Sequence, residues 1–243
     1  MRVDVVPTAQ AVARGQLAGA TVLVVDVLRA STSIVSALDA GCAAVVPVAE
    51  PEEALARARA AGGDGVLAAG ERRGLPIPGF DLGNSPLEFT DGRVRGKTVV
   101  FTTSNGTRAL LAARGAAAVG VAALVNAGAA AAWALAEARD VVVLCAGERG
   151  QRSLEDWVCA GLLVERMRRR APDLALTPAA AAAAAEARGY AGDPARLAED
   201  SPWARRLRAV GRGGDVAACL RLDTSVLVPV YLASVDKVVA GHR

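Results

Sequence analysis

The chain has 243 residues, of which 53% are hydrophobic and 3% aromatic, and its 28 basic and 25 acidic residues give a formal net charge of +3. The hydrophobic content excludes a disordered chain, and a chain of this length can bury a core without disulfides or structural metals. The single histidine, His242, excludes a Ser-His-Asp triad, a phosphohistidine relay and a His-rich zinc site. Any chemistry must therefore come from carboxylates, hydroxyls, arginines and the backbone.

The nearly balanced charge indicates no particular polyanionic partner. The arginine-rich segments 166–170 and 205–208 have helical spacing, which is typical of solvated helix faces. Aromatic residues that could stack on bases are too few for a single-stranded nucleic-acid platform. The sequence therefore predicts no nucleic-acid partner.

The cysteines are widely spaced and form no CxxC pair, which predicts free thiols in a reducing, cytoplasmic compartment. Cys145 ends a predicted strand, as cysteine-phosphatase nucleophiles do, but the C-x5-R spacing would need an arginine where Gln151 stands. No signal peptide is visible at the start of the sequence. Residues 115–136 are uncharged but rich in Ala and Gly, and they divide into a strand and a helix, so we predict no membrane segment.

Short valine-rich runs alternate with segments of helical periodicity, a pattern typical of βαβ units and a buried, largely parallel sheet. The predicted strands are 3–6, 21–26, 43–48, 65–69, 98–102, 117–121 and 141–146, and the predicted helices between them are 31–40, 51–60, 106–114 and 127–139. Ser153 followed by Asp156 resembles a capping box before a further helix at 157–170.

The C-terminal third has a different pattern. The seven-alanine run at 179–185 predicts a helix, residues 193–220 predict short helices, and residues 223–231 predict a final strand with Pro229 at a sheet edge. No break in composition marks a second domain. We therefore predict a single α/β domain over 1–243, in which 171–243 form a helical cover and a closing strand.

An internal repeat is also present. Residues 67–72 (LAAGER) match residues 144–149 (LCAGER) 77 positions later, and residues 21–26 align with 98–103 at the same offset. This repeat predicts two similar βαβαβ halves, at about 21–72 and 98–149, that share one sheet.

Ligands of open parallel sheets bind beyond the carboxyl ends of the strands, so polar residues at those ends are candidates for a site. A carboxylate and an arginine follow the first strand of the repeat, and hydroxyls open the next helix: Asp26, Arg29, Ser31, Thr32 and Ser33. Such a carboxylate can bind a hard cation, and hydroxyls and amides at a helix N-terminus can bind an anion. An ordinary helix cap with a surface arginine is the alternative.

The equivalent turn in the second half, residues 102–108, reads TTSNGTR. Glycine lets successive N–H groups converge, and the helix dipole favours a phosphate there. We predict a phosphate cradle formed by Ser104, Asn105, Gly106, Thr107 and Arg108, with an ordinary Ser/Thr cap as the alternative.

A long loop follows the strand at 65–69, and loops of such length in compact domains are usually functional. In this loop we expect Glu71 and Asp81 to bind a metal or to act as acid and base, and Asn84 and Ser85 to contact the ligand. A rigid Pro/Gly connection with a solvated Glu71 is the alternative.

The last strand of the second half is followed by Glu148 and, in the first turn of the next helix, by Glu155 and Asp156. These acids are candidate metal ligands, although the helix dipole alone also explains acids in a first turn. Two anion cradles facing several carboxylates predict Mg²⁺-dependent chemistry on a phosphate, in which Arg29 or Arg108 neutralises charge.

Neither a Walker loop nor a GxGxxG motif is present, so nucleotide binding lacks its main signature. A phosphatase of the haloacid-dehalogenase type would need an aspartate two residues after Asp26, where Leu28 stands. An aspartyl-phosphate on Asp26 and direct attack by water both stay open.

Four motifs in order, VVDVLRASTSI, AGERRGLPIPGFDLGNSPLEF, TTSNGTRAL and CAGERGQRSLEDWVCAG, resemble those of the 2-phosphosulfolactate phosphatases. The resemblance covers 4–164 and resumes weakly at 215–229. It implies a three-layer α/β/α fold and Mg²⁺-dependent hydrolysis of (2R)-2-phospho-3-sulfolactate in coenzyme M biosynthesis. It also implies two sets of site residues: Asp26, Glu71, Asp81, Glu155 and Asp156 near the metal, and Arg29, Asn84, Ser85 and residues 104–107 near phosphate or sulfonate.

The resemblance therefore implies a phosphoric monoester hydrolase, with Asp26, Glu71 and Arg29 as its catalytic residues. Two alternatives stay open: a phosphatase of another small phospho-acid, and a non-catalytic module that binds a phosphosugar or a nucleotide. Carboxylates repel a phosphate unless a cation lies between them, which favours the metal-dependent hydrolase. The sequence leaves open whether the chain forms a homo-oligomer.

Overall fold

A computed structural model describes residues 1–13 and 15–241, so His242 lies outside the described residues. These residues form an α/β fold in which helices pack against one mostly parallel, 11-stranded sheet, as the alternating pattern predicted. The strands are β1 (Arg2–Val6), β2 (Thr21–Val25), β3 (Ala44–Pro47), β4 (Val66–Arg72), β5 (Leu75–Pro76), β6 (Thr98–Thr102), β7 (Ala118–Ala122), β8 (Val141–Cys145), β9 (Ala175–Leu176), β10 (Pro229–Leu232) and β11 (Lys237–Ala240).

The helices lie between and after these strands, and the predicted helices are present with shifts of a few residues at their ends. They are α1 (Ala30–Asp39), α2 (Pro51–Ala61), α3 (Asp91–Val94), α4 (Gly106–Ala112), α5 (Ala127–Ala136), α6 (Leu154–Arg170), α7 (Pro178–Ala187), α8 (Leu197–Asp200), α9 (Pro202–Ala209) and α10 (Gly213–Cys219). Residues 115–136 fold mainly as β7 and α5. Within the described part of the chain, no helix is both long and apolar enough to cross a membrane.

The strand order is β5-β4-β6-β3-β11-β10-β7-β2-β8-β1-β9. Strands β4, β6 and β3 form one parallel group, and β7, β2, β8, β1 and β9 form another. The hairpin of β10 and β11 joins the two groups through antiparallel pairings on both sides. The two parallel groups therefore run in opposite directions along the sheet.

A flat sheet would place the carboxyl ends of β2 and β6 at opposite edges. Neighbouring strands rotate by roughly 20–25°, and this rotation accumulates over the five steps between β6 and β2. The sheet winds around α1 and α4, which contact strands of both groups. As a result the turns after β2 and β6 meet, and a Cβ built on Gly106 would lie 2.4 Å from the Cβ of Ala30.

Strands β2 and β8 are buried along their whole length. Helices α5, α6 and α7 pack with one face of these strands, and α1 and α4 with the other. Small residues bring α6 and α7 together, because a Cβ on Gly161 would lie 2.1 Å from the carbonyl oxygen of Ala183. The alanine run of α7 thus supplies a buried, close-packed face, formed by Ala180, Ala183, Ala184 and Ala187.

The C-terminal segment differs from the predicted closing strand at 223–231. Residues 223–228 lie outside the sheet, where the N–H groups of Asp223 and Ser225 donate to the carbonyls of Leu124 and Val125. Strand β10 begins at Pro229, and proline is tolerated as the first residue of a strand because the ladder needs no N–H there. The expected edge position is wrong: β10 lies in the middle of the sheet between β7 and the unpredicted β11.

Candidate functional site

A cavity of about 800 Å³ lies where the turns after β2, β4, β6 and β8 meet. Its lining includes five arginines and three carboxylates, together with smaller polar groups and two apolar side chains. The charged lining residues are Arg29, Arg72, Arg73, Arg108, Arg149, Asp26, Glu71 and Glu148. The excess of arginine over carboxylate suits a small ligand that carries several negative charges.

Asp26 is the carboxylate that ends β2, and its side chain is buried at 7% exposure. Its Oδ1 accepts a hydrogen bond of 3.1 Å from the N–H of Ala30, whereas Oδ2 has no donor among the described residues. Burial, followed by the negative charges of Glu71 and Glu155, raises the pKa of Asp26 from 3.8 to about 7. Asp26 thus presents one unengaged oxygen to the cavity, and that oxygen holds a proton or a cation more readily than an exposed aspartate does.

The hydroxyls that follow Asp26 are used inside the fold. Ser31 Oγ accepts from the N–H of Asp26 (2.9 Å), Thr32 Oγ1 donates to the carbonyl of Val27 (2.9 Å), and Ser33 Oγ donates to the carbonyl of Asn84 (2.9 Å). All three side chains are buried and none lines the cavity. The structure therefore does not bring Ser31 and Thr32 to the ligand; they shape the turn that presents Asp26.

Glu71 ties the turn after β4 to the turn after β6. Its Oε1 accepts from the N–H of Ser104 at 2.7 Å, and its Oε2 accepts from the N–H of Gly74 at 2.6 Å. The Ser104 hydroxyl lies between the two turns, donating to Glu71 and accepting from the N–H of Arg73. Both oxygens of Glu71 are therefore engaged, and the side chain orients the cavity wall.

Replacing Glu71 by glutamine should destabilise these turns, because the new NH₂ group faces an N–H donor and leaves Ser104 or Gly74 without its acceptor. We expect the free energy of unfolding, measured in urea, to fall by about 1–3 kcal/mol. The control Glu53→Gln removes only an exposed ion pair with Arg57, and we expect a change below about 1 kcal/mol. Equal losses in both variants would contradict this role of Glu71.

The predicted phosphate cradle is built by reciprocal capping of α4. Thr107 Oγ1 accepts from the N–H of Thr103 at 3.0 Å, and Thr103 Oγ1 accepts from the N–H of Thr107 at 3.1 Å. A Cβ on Gly106 would lie 2.6 Å from Asp26 Oδ2, so only glycine allows α4 to begin beside that carboxylate. Thr107 and Gly106 therefore support the cavity wall and are not among its lining residues.

Three other members of the predicted cradle reach the cavity: Ser104, Asn105 and Arg108. The N–H groups of Asn105 and Gly106 have no acceptor within residues 1–13 and 15–241, as is usual at the start of a helix. Arg108 is exposed and lies 3.3 Å from Glu50. This side of the cavity thus offers the amide donor of Asn105 and the exposed cation of Arg108 to an anion.

The structure keeps three of the predicted metal ligands out of the main cavity: Asp81, Glu155 and Asp156. Asp81 is exposed and accepts from the N–H of Ala68 (2.8 Å), at the start of the loop that runs beside β4. Glu155 is buried, and burial raises its pKa; its Oε2 accepts from the hydroxyl of Ser201 at 2.7 Å. Glu155 lines a second, smaller cavity of about 370 Å³.

Asp156 connects the turns after β2 and β8. Its Oδ1 accepts from the N–H of Val27 at 2.8 Å, and its Oδ2 accepts from the N–H of Gly147 at 3.1 Å. Burial, with the charge of Asp26 adding, raises the pKa of Asp156 well above its ordinary value. The predicted capping box forms only in part: Ser153 accepts from the N–H of Asp156, whereas the Asp156 carboxylate turns to the strand ends. Of the later acids, Glu148 alone lines the main cavity.

No group of three or more His, Cys, Asp or Glu side chains in the described residues could hold a metal ion by itself. The cavity nevertheless contains two oxygens without donors in the described chain, Asp26 Oδ2 and the buried Oδ1 of Asn84. Mg²⁺ takes oxygen ligands and usually binds through one or two carboxylates, water and substrate phosphate. The residues present therefore fit a Mg²⁺ that shares its coordination with a substrate.

Sequence patterns did not single out Asp215, which is 4% exposed and lies in the first turn of α10. Its Oδ2 accepts from Arg29 Nη1 at 2.5 Å, and its Oδ1 accepts from Ser85 Oγ at 2.6 Å. Ser85 also accepts from the N–H of Leu87, so its hydroxyl is used within the fold. The one sequence signal for Asp215 was the family resemblance, which resumes weakly at residue 215.

Several further lining residues, among them three arginines and a tryptophan, were not predicted as site residues. Arg73 and Arg149 have left-handed backbones, with φ of 54° and 51°, and each precedes a glycine at the rim. Trp203 donates from Nε1 to the carbonyl of Leu28 (3.0 Å) and forms one side of the cavity. Arg72 also lines the cavity, but it donates to the carbonyl of Ala49 and to other groups of the fold.

Comparison with known proteins gives consistent matches over nearly the whole chain. A family model described as 2-phosphosulpholactate phosphatase matches residues 6–234. A protein of Symbiobacterium thermophilum named probable 2-phosphosulfolactate phosphatase is 41% identical over 216 residues, which cover 89% of this chain and 93% of that protein.

Two more proteins bear the same name. One from Deinococcus radiodurans is 42% identical over 221 residues, which cover 90% of each chain. One from Clostridium acetobutylicum is 35% identical over 231 residues, which cover 95% of this chain and 97% of that protein.

Proposed function

This chain belongs to the 2-phosphosulfolactate phosphatase family, and we propose that it hydrolyses (2R)-2-phospho-3-sulfolactate to 3-sulfolactate and phosphate. The observation that carries this proposal is the cavity, whose lining holds five arginines together with Asp26 and its unengaged oxygen. The substrate carries a phosphate, a sulfonate and a carboxylate and has no aromatic group. Such a ligand needs several cationic contacts, which the five arginines of this lining provide.

The arginines bind and orient the substrate in this proposal. Arg29 is held in the wall, whereas Arg73 and Arg149 stand at the rim with few contacts to the fold. Guanidinium groups bind phosphate, sulfonate and carboxylate through paired N–H donors. Three anionic groups on one small molecule can thus be held at once, with the phosphate next to Asp26 and the amides at the start of α4.

During hydrolysis the bond between phosphorus and the ester oxygen breaks, and the oxygen of a water molecule takes its place. One proton of that water ends on the ester oxygen of 3-sulfolactate, and the other stays on the released phosphate. Arg29 and the N–H group of Asn105 stabilise the negative charge on the transferred group, because donors that are already oriented need no rearrangement. Glu71 keeps these donors in place through Ser104.

We also propose that the reaction depends on Mg²⁺. Asp26 Oδ2 and Asn84 Oδ1 would hold the ion, with Glu148 as a further ligand from the cavity lining. When bound, Mg²⁺ would polarise the phosphoryl oxygens. It would also replace the proton that burial favours on Asp26, which removes the repulsion between this carboxylate and the phosphate.

The test is phosphate release from phosphosulfolactate, measured with Mg²⁺ and with EDTA. We expect turnover with Mg²⁺, at least about a 100-fold loss in EDTA, and recovery when Mg²⁺ is restored in excess. Equal release under both conditions would contradict the metal dependence. No phosphate release under either condition would contradict the phosphatase assignment and would favour a binding module. Faster turnover of another phospho-acid would reassign the substrate.

We further propose that the sheet consists of two βαβαβ halves, at 21–72 and 98–149, in a three-layer α/β/α arrangement. In sequence order, β2, β3 and β4 of the first half match β6, β7 and β8 of the second. With this matching, the neighbouring strands β8-β2-β7 correspond to the neighbouring strands β4-β6-β3, which supports the division. In each group, the first strand of one half lies between the second and third strands of the other half. We also propose a cytoplasmic enzyme without a nucleic-acid partner, supported by four free, buried cysteines and few aromatics.

A further inference from the structure

Arg29 is the buried arginine of the cavity, with 3% of its surface exposed. Its Nη1 donates to Asp215 Oδ2 at 2.5 Å, and its Nη2 donates to the carbonyl of Gly74 at 2.9 Å. A guanidinium has five N–H donors, so three are left without an acceptor in the part of the chain that the structure describes. Because the side chain lines the cavity, these donors are available to a ligand.

Asp215 itself has no free oxygen for a ligand. Oδ2 accepts from Arg29 and Oδ1 accepts from the hydroxyl of Ser85 at 2.6 Å. It comes from α10, whereas Arg29 follows β2 and Ser85 belongs to the loop after β4. This one carboxylate therefore joins three distant segments at the wall of the cavity, and any effect on a ligand must pass through Arg29.

Other carboxylates compete for Arg29. Asp26 lies close enough for the charge of Arg29 to act on it, and Glu71 lies beside Asp26 in the same cavity. A buried guanidinium that lost its partner would be drawn to these acids, because an unpaired buried charge is costly. In that position its N–H groups would no longer be available to an anion.

We propose that Asp215 is a positioning residue for substrate binding: it holds the Arg29 guanidinium in the cavity wall, away from Asp26 and Glu71, so that the remaining N–H groups bind an anionic group of the ligand. The identity of that ligand rests on the proposed function. The binding of an anion by Arg29 can be measured without turnover, so the two proposals can fail separately.

The variant Asp215→Asn tests this role with little change of shape. The amide oxygen can still accept from Arg29, and the amide NH₂ can donate to the Ser85 hydroxyl, so the main loss is the charge that holds the guanidinium. We expect inorganic phosphate to bind roughly 10- to 100-fold more weakly by calorimetry, with a similar rise in KM. Because Arg29 also stabilises the charge on the transferred group in the proposed reaction, we expect kcat to fall as well, by roughly 10-fold, once correctly folded enzyme is counted.

A double-mutant cycle separates action through Arg29 from a general loss of structure. Arg29→Met should weaken phosphate binding by itself, and Asp215→Asn should then cause no further loss. The control is Asp223→Asn, which changes an ion pair of the same 2.5 Å length, to Arg166, that is more exposed and lies outside the cavity lining. We expect this control to leave phosphate affinity unchanged.

Several results would overturn the proposal. Unchanged or tighter phosphate binding by Asp215→Asn would mean that Asp215 only cancels the charge of Arg29. If the losses of phosphate affinity caused by Arg29→Met and Asp215→Asn added up in the double variant, Asp215 would act independently of Arg29. Absence of phosphate binding by the wild-type protein would also overturn it. If Asp215→Asn does not fold, the variant Ser85→Ala can be used, because it removes one hydrogen bond to Asp215. A phosphate affinity that is roughly three- to tenfold weaker in Ser85→Ala supports the proposal, and an unchanged phosphate affinity overturns it.

Binding and turnover distinguish this proposal from the proposed function. A wild-type protein that binds phosphate but releases none from phosphosulfolactate would refute the assigned activity, and the role of Asp215 would still be decided by phosphate affinity.

Discussion

Replacing Asp26 by asparagine is expected to abolish phosphate release and to stabilise the metal-free protein at pH 8. The activity should fall at least about 1,000-fold, because Asp26 carries an unengaged carboxylate oxygen in the lining of the arginine-rich cavity. The stability should rise because burial makes the ionised carboxylate unfavourable. The difference between a pKa of 3.8 and one of about 7 corresponds to about 4 kcal/mol.

The direction of the pH dependence follows from the raised pKa. The folded protein binds the proton of Asp26 more tightly than the unfolded chain does. The resulting contribution of Asp26 to the free energy of unfolding is therefore complete below pH 3.8 and is lost as the pH rises through about 7. The raised pKa values of Glu155 and Asp156 act in the same direction. In EDTA, the wild-type free energy of unfolding should therefore fall between pH 5 and pH 8.

Urea unfolding in EDTA at the two pH values measures this effect. The stability advantage of Asp26→Asn over the wild type should be about 2–3 kcal/mol greater at pH 8 than at pH 5. The control Asp140→Asn makes the same substitution at an exposed aspartate that also accepts a backbone N–H, from Arg2, so it shows the effect of the substitution without burial. An equal advantage of Asp26→Asn at both pH values would refute the burial argument.

Gly106→Ala should damage both the packing and the site. The added Cβ would lie 2.4 Å from the Cβ of Ala30 and 2.6 Å from Asp26 Oδ2, and real Cβ contacts do not reach such distances. Helix α4 must therefore shift away from α1 and from the carboxylate. We expect a loss of about 1–3 kcal/mol in the free energy of unfolding and about a 100-fold loss in kcat/KM.

Two further variants show which contact matters. Gly92→Ala adds a Cβ with nothing within 4 Å, so it should leave activity unchanged and affect stability little. In the double variant Ala30→Gly, Gly106→Ala, the contact with the Cβ of Ala30 is removed, but the new Cβ at position 106 still lies against Asp26 Oδ2. We expect stability to recover in part while activity stays low; full recovery of activity would show that the loss came from helix packing alone.

The strands and helices of the first 170 residues, apart from the short β5 and α3, could be predicted because each depends mainly on local periodicity. Valine runs such as β2 and β8 are buried on both faces and carry a continuous apolar signal. The hairpin of β10 and β11 has a weaker signal, since the predicted strand at 223–231 overlaps only part of β10 and β11 was not predicted. The hairpin pairs with β3 and β7, which are far away in the chain. Only these partners place a short segment that begins with proline in the middle of the sheet.

The candidate site was predictable to the extent that residue type at a strand end decides it. Asp26, Glu71 and Glu148 follow or end buried strands, and the structure brings all three to one cavity. The direction of a side chain was not predictable in the same way. Ser31 and Thr32 satisfy the backbone of their own turn instead of facing a ligand, because buried N–H and C=O groups must find partners nearby.

The amino-acid sequence by itself determined which chemistry is available, since the absence of histidine from the strand ends leaves carboxylates, hydroxyls, arginines and amides. It also determined where along the chain these groups stand. Only the tertiary structure decided which of them meet. Two groups of strands that run in opposite directions converge through accumulated twist, and Arg29 finds Asp215 across 186 residues of chain. Such contacts depend on how the whole sheet and its covering helices pack, and no local pattern encodes them.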